Sequence, residues 1–216
     1  MKGAYFITGI DTDAGKSYAT GWLARKLMDE GQKVITQKFI QTGCIDSSED
    51  IDIHRRLTGS GYLPEDNERL TAPVIFSYPA SAQLAASIDG REIDLTVIDR
   101  ATEKLLERYD TVLVEGAGGL MVPITDTFMA IDYAATRKLP VILVTNSRLG
   151  SINHTVLSLE AIAARGLQLH SVLYNRYFDT DKVISADTRA FIERYVRRHF
   201  PEAEILDVPV ISADVN

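Results

Sequence analysis

The sequence predicts an α/β fold: a doubly wound three-layer sandwich, in which a mostly parallel sheet carries helices on both faces. Three observations lead there. Short runs rich in Val, Ile and Leu alternate with longer amphipathic runs along the whole chain. The short runs are apolar at nearly every position, as strands buried on both faces require. The stretches between them have the length and period of the crossover helices that connect parallel strands. In sheets of this kind ligands bind beyond the carboxyl ends of the strands, so residues at those ends carry most of the functional information.

Taken in order, residues 4–8 (Ala-Tyr-Phe-Ile-Thr) read as the first strand. A helix over 16–30 follows, with Trp22, Leu23 and Leu27 on one face and Gly31 as its C-terminal stop. Residues 34–37 are the second strand. Asp94 can cap a helix reaching Arg108, with Val97, Ile98, Leu105 and Leu106 turned inward. Strand 111–114, a short helix over 131–138 and strand 141–144 come next. A helix over 152–165, strand 171–174, a helix over 185–199 and a last strand near Ile205 and Leu206 complete the series. No repeat or Pro/Gly/Ser-rich linker interrupts it, and 216 residues suit a single domain spanning 1–216.

Hydrophobic residues make up 45% of the chain and charged residues 25%, enough for an ordinary core. There are 23 basic and 30 acidic side chains, a net charge of -7, and no Lys/Arg run. That balance argues against nucleic acid or an anionic membrane as a partner. A lone cysteine, Cys44, cannot form an internal disulfide and fits a reducing compartment. With no signal sequence and no apolar stretch of membrane-spanning length, the expectation is a soluble cytoplasmic protein.

The segment Gly9-Ile-Asp-Thr-Asp-Ala-Gly15-Lys16-Ser17 lies between the first strand and the first helix. Five residues separate Gly9 from the Gly-Lys pair, where the common phosphate-binding loop has four. Its chemistry is the same. Glycines let backbone N–H groups face an anion, the helix N-terminus adds partial positive charge, and Lys16 can reach the β- and γ-phosphates. Ser17 offers a hydroxyl to magnesium. A glycine turn that merely joins strand to helix would not need the Gly-Lys-Ser sequence in this place. The fold is therefore of the P-loop NTPase type, with ATP and Mg2+ as its expected ligands.

Strand 111–114 ends in Glu115-Gly-Ala-Gly-Gly119. A carboxylate there can hold magnesium directly or through water, and the glycines permit close backbone approach to a ligand. Lys38 follows the second strand, within a segment ending Thr42-Gly43. By position alone it reads as a surface lysine, but a neighbouring strand that ends in the P-loop would aim it at the same anion. Asp50 and Asp52 open a helix, and either can be a solvated cap or complete a metal shell. His154, His170 and His199 read as surface or capping residues, and the four histidines show no metal-ligand spacing. Asn146 to Gly150 leads into a helix N-terminus with Ser151 and Asn153, which suits either a carboxylate ligand or plain capping.

Together these segments resemble the dethiobiotin synthetases over nearly the whole chain. The resemblance rests on the long P-loop, the Lys38 segment ending Thr42-Gly43, and Val114-Glu-Gly-Ala-Gly-Gly119 followed by Pro123. Leu149-Gly-Ser-Ile-Asn-His154 and Asn175 complete it. It implies an ATP- and Mg-dependent cyclo-ligase of biotin biosynthesis that joins 7,8-diaminopelargonate, CO2 and ATP into dethiobiotin, ADP and phosphate. It also implies a homodimer with the active site at the interface. By the match, Lys16 holds the β/γ-phosphates within a nucleotide loop of Asp13, Ala14, Gly15, Ser17 and Tyr18. Lys38 bridges carbamate and γ-phosphate. Ser17, Glu115 and one of Asp50 and Asp52 hold the metal, while Thr12, Thr42 and Gly118 orient the diamine or its carbamate. Ser151 and Asn153 come from the partner subunit to the substrate carboxylate, and Asn175, Pro209 and Val210 border the adenine. Two departures stand out: Ser81-Ala82-Gln83 replaces the family's Ser-Pro-His, and Asp13-Ala14 replaces a frequent Glu-Val.

Three other readings compete. A partitioning or division-site switch ATPase would bring a second lysine just after the first glycine, where this chain has Ile10, and a basic amphipathic C-terminus, where it has Ser212 to Asn216. An amidation domain of cobyric-acid type would need a fused glutaminase. A bare nucleotide-binding module leaves Lys38 and Glu115 without a purpose. On the synthetase reading, Lys16→Ala or Lys38→Ala is expected to remove turnover and leave the fold intact.

Overall fold

The computed structural model describes residues 1–211, so the C-terminal segment weighed above, Ser212 to Asn216, lies outside the described residues. The elements run β1 (Gly3–Gly9), α1 (Lys16–Asp29), β2 (Val34–Lys38), β3 (Gln41–Thr42), α2 (Glu49–Thr58), α3 (Pro64–Asn67), β4 (Ile75–Phe76) and α4 (Ala82–Ile88). Then come α5 (Leu95–Leu106), β5 (Thr111–Gly119), β6 (Pro123–Thr125), β7 (Phe128–Met129), α6 (Ala130–Thr136), β8 (Val141–Asn146) and α7 (Ser151–Ala164). Strand β9 (Leu169–Asn175), a 3-10 turn (Arg176–Phe178), α8 (Lys182–His199) and β10 (Glu204–Val208) complete the chain.

Six strands form one sheet in the order β10-β9-β8-β1-β5-β2, every neighbouring pair parallel. Strand side chains alternate between faces, and the alternation divides the core in two. Phe6, Val112, Val114, Leu143 and Val172 lie in one cluster with α5, α6, α7 and α8. Tyr5, Ile7, Leu113, Ile142, Val144 and Leu173 lie in the other with α1. Helices on both faces explain why the strand sequences read as unbroken apolar runs.

Helix α5 corrects one expectation. Ile98, Ala101, Thr102 and Leu105 are buried, whereas Val97 and Leu106 are each 38% exposed. At 100° per residue the i, i+3, i+4, i+7 stripe faces the sheet, and residues one step either side fall at its edges. Helix α8 starts three residues before the predicted Ser185, because the Asp181 carboxylate accepts from the Val183 and Ile184 amides. The short β3–β4 and β6–β7 pairs were not predicted. Each is only two or three residues long per strand, too short for a periodic signal.

One buried ion pair locks α2 to the segment after it. Arg55 Nη2 and Nε meet Asp66 Oδ1 and Oδ2 at 2.7 and 2.9 Å, with both side chains buried. Asp66 also accepts from Thr71 Oγ1 at 2.6 Å and the Leu63 amide at 2.7 Å. Burial alone would raise the Asp66 carboxyl, but Arg55, Thr71 and Leu63 outweigh it and hold the group below its ordinary range. A depressed carboxyl stabilises the fold fully above its unfolded pKa of about 3.9, and the contribution disappears as pH falls through the folded value. Asp66→Asn is expected to remove about 3 kcal/mol at neutral pH, with much less difference in acid. Urea unfolding at the two pH values measures it, and an equal loss at both would show that the pair's charge is immaterial.

Candidate active site

The carboxyl ends of β1, β2, β5, β8 and β9 meet along one edge of the sheet, and the unusual residues of the sequence gather there. β1 ends at Gly9, and the loop beyond it is tied back to β8 by the Ile10 amide on Val144 O at 3.0 Å. Gly15 precedes α1 in the left-handed region, at φ 85°. A Cβ there would lie 2.1 Å from Asn175 Nδ2, so glycine is required on both conformational and steric grounds. Asn175, at the end of β9, donates to Ala14 O at 3.2 Å and accepts from the Tyr177 amide at 3.1 Å. It thereby joins the loop to the 3-10 turn. No side chain among the described residues caps α1, which leaves its first amides to an anion.

Lys16 is buried, and its Nζ has one protein partner among the described residues, the Asp11 carbonyl, at 3.1 Å. Burial lowers its pKa, and the charge on Lys38 adds to that, against the opposing pull of Glu115. Among the described residues it forms no ion pair. A buried ammonium short of counter-charge, beside an uncapped helix N-terminus, makes a strong anion site.

Lys38 and Glu115 are register partners on the neighbouring strands β2 and β5, so their side chains emerge side by side. Lys38 Nζ lies 2.5 Å from Asp50 Oδ2 and 3.0 Å from Glu115 Oε1. Ser17 Oγ donates to Asp50 Oδ1 and sits 3.0 Å from Glu115 Oε1. Burial would lower Lys38, but Glu115 and Asp50 outweigh it and raise it. Burial likewise opposes ionisation of Glu115, yet Lys38 and His54 hold it well below the usual carboxylate range.

Ser17, Asp50 and Glu115 thus bring three hard oxygen donors together. Among the described residues no cluster of three or more His, Cys, Asp and Glu side chains forms a metal cage. Magnesium needs none, because it is held by one or two carboxylates together with water and substrate phosphate, and this donor set fits it.

These residues line a cavity of about 550 Å³, joined there by Thr12, Asp13, Tyr18, Thr42, Gly118 and Pro209. Ser151 lies instead in a smaller cavity of about 310 Å³ that shares Thr12, Asp13 and Arg148 with the first and also borders Ala14. Three candidates stand apart. Asp52 is bonded to the Tyr62 hydroxyl on the far side of α2, Asn153 is exposed, and Val210 points into solvent next to Pro209. The geometry therefore brings Asp50 to the site and leaves Asp52 out of it. Gln83, at the departure from Ser-Pro-His, donates to Asp126 Oδ1 at 2.6 Å, while Ala82 is buried in the core.

Sequence reasoning missed His54, whose Nε2 lies 2.8 Å from Glu115 Oε2. The available signal was its place four residues after Asp50, on the same helical face. It missed also Arg148, stacked 4.0 Å over the Phe178 ring in the wall of the cavity, where Tyr177 lies edge-on to Phe178.

Comparison with known proteins completes the picture. The AAA_26 family model, an AAA domain, matches residues 3–212. Over 210 residues the chain is 47% identical to the ATP-dependent dethiobiotin synthetase BioD 2 of Pasteurella multocida, covering 96% of this chain and 99% of that one. This chain belongs to the dethiobiotin synthetase family. The dethiobiotin synthetase BioD of Chlorobaculum tepidum is 48% identical over 210 residues, 96% of this chain and 88% of its own length. Among solved structures, a ParA family ATPase from Chlorobium tepidum superposes with a TM-score of 0.56 at 15% identity, over 100% of this chain and 88% of that one. A plasmid partition protein from Borrelia burgdorferi bound to AMPPNP superposes with a TM-score of 0.58 at 12% identity, over 100% and 89%. At that identity they share the doubly wound P-loop fold with this dethiobiotin synthetase relative and nothing further is implied. No helix among the described residues is long and apolar enough to cross a membrane.

Proposed function

We propose that this chain is an ATP-dependent dethiobiotin synthetase, closing the ureido ring of dethiobiotin from 7,8-diaminopelargonate, CO2 and ATP. The observation that carries the reading is the convergence of Lys16, Lys38, Ser17, Asp50 and Glu115 on one cavity, in a chain that matches the family end to end.

The chemistry follows from charge and position. One substrate amine takes up CO2 as a carbamate and loses a proton. A carbamate oxygen attacks the γ-phosphorus, ADP leaves, and a carbamic–phosphoric anhydride forms. The second amine attacks the anhydride carbonyl, phosphate departs, and the ring closes with loss of a second proton. Phosphoryl transfer of this kind requires positioning and neutralisation of charge. Lys16 and the α1 amides hold the β- and γ-phosphates, and Asn175 and Pro209 border the adenine, while Val210 faces solvent beside them. Lys38 turns from Asp50 and Glu115 to bridge the carbamate and the γ-phosphate. Thr12, Thr42 and Gly118 orient the diamine. Magnesium, when bound by Ser17, Asp50 and Glu115, supplies further neutralisation of phosphate charge.

On this reading residues 1–216 form one catalytic domain acting in the cytoplasm as a homodimer. Asn153 would reach the substrate carboxylate of the partner's site, whereas the Ser151 side chain is buried and does not. The exposure of Asn153, with Leu149 86% and Leu157 61% exposed beside it, supports an interface there.

Phosphate release from Mg-ATP, measured with and without 7,8-diaminopelargonate plus bicarbonate, tests the proposal. Release that depends on the diamine, with a product of dethiobiotin mass, is the expected result. Slow hydrolysis indifferent to the diamine would sink it, and a monomer by sedimentation in the active preparation would remove the dimer.

A further inference from the structure

Glu115 has no solvent exposure, and its two oxygens divide its contacts. Oε1 meets Lys38 Nζ and Ser17 Oγ, each at 3.0 Å. Oε2 meets His54 Nε2 at 2.8 Å. An ionised carboxylate only accepts, so the hydrogen of that bond sits on Nε2. His54 is itself fully buried, and its Nδ1 finds no partner among the described residues. An apolar side chain would fill the same space without an orphaned nitrogen, so the ring's contact with Glu115 is the reason for a histidine here. The ring comes from α2, the helix that also delivers Asp50 one turn earlier.

Lys38 has two duties that conflict. In this structure it is the main donor to Glu115 and Asp50, yet transfer requires it at the carbamate and γ-phosphate. If it turned away with no other donor present, Glu115 would be a buried charge free to change rotamer. We propose that His54 is a positioning residue for phosphoryl transfer: its Nε2–H holds Glu115 Oε2, so that Oε1 keeps its aim at the magnesium position while Lys38 turns to the phosphate. The inference rests on the residue roles proposed above.

The test compares His54→Met, which has no donor, with His54→Gln, whose amide nitrogen falls near the Nε2 position. Calorimetric binding of ATP over a magnesium series gives the apparent magnesium constant without turnover, and steady-state kinetics give kcat and KM for the diamine. His54→Met is expected to weaken magnesium about 10- to 100-fold and to lower kcat with little change in KM. His54→Gln should recover most of both. If the Met variant does not fold, His54→Asn, whose amide stops short of Oε2, replaces it. Magnesium affinity unchanged in the donorless variant would overturn the inference, as would equal losses in the Gln and donorless variants, which would make the ring a matter of shape. ATP binding indifferent to magnesium in the unaltered protein would instead overturn the residue roles beneath it, a failure visible before any substitution is made.

Discussion

Lys38→Ala is expected to reduce turnover by about three orders of magnitude and to destabilise the protein at the same time. The loss of rate follows from removing a preorganised cation from the place where charge develops, a change that commonly costs about 10²–10³ in kcat. The loss of stability follows from burial. Lys38 is 4% exposed and is the cation nearest both Glu115 and Asp50. Among the described residues its removal leaves Glu115 with His54 and Ser17 and Asp50 with Ser17, and breaking such a contact is expected to cost about 3 kcal/mol. The sequence by itself led to the expectation of an intact fold in this variant; the pairing of Lys38 in the site amends it. Single-turnover phosphate release and urea unfolding on the same preparation separate the two effects. Normal turnover would take Lys38 out of the reaction, and unchanged stability would mean that His54 and Ser17 suffice for Glu115.

Lys16→Ala should behave differently although the residue is also a buried lysine. Lys16 has no carboxylate within ion-pair distance among the described residues, and burial holds its pKa down. Removing it relieves an unfavourable charge, so stability in the absence of nucleotide should stay within about 1 kcal/mol of the unaltered protein or rise. Affinity for ATP and turnover should both fall, turnover by about 10²–10³. The magnesium-ATP increment in melting temperature should shrink with the affinity. A variant that binds ATP normally would place the β/γ-phosphates elsewhere.

The contrast between these two lysines shows what a linear reading can and cannot supply. Lys16 was legible because its neighbours in sequence, Gly15 and Ser17, are also its neighbours in space, and the strand–loop–helix context is local. Lys38 was legible as a residue at a strand end, but the strand expected beside it was the wrong one: β5, not the P-loop strand β1, is the neighbour of β2. Its significance depends on the register Lys38↔Glu115, which joins positions 77 residues apart. The choice between Asp50 and Asp52 was open for a related reason. Both sit in the first turn of α2, and only the way that helix packs decides which carboxylate meets Ser17 and which meets the Tyr62 hydroxyl. His54 shares a helical face with Asp50, which hinted at the site, but its contact with Glu115, 61 residues away, depends on how α2 packs.

The sequence by itself determined the parallel α/β architecture, because strands covered on both faces must be apolar throughout, and it determined the phosphate loop, because every group in it is contiguous. It also carried the family resemblance, which the 47% identity to the Pasteurella multocida protein bears out. Tertiary structure alone decided which acidic residue joins the site, which buried histidine supports it, and how the charges of Lys16 and Lys38 differ. Those outcomes depend on distances between side chains far apart in the chain and on how much water their contacts exclude, and neither quantity is written in the order of residues.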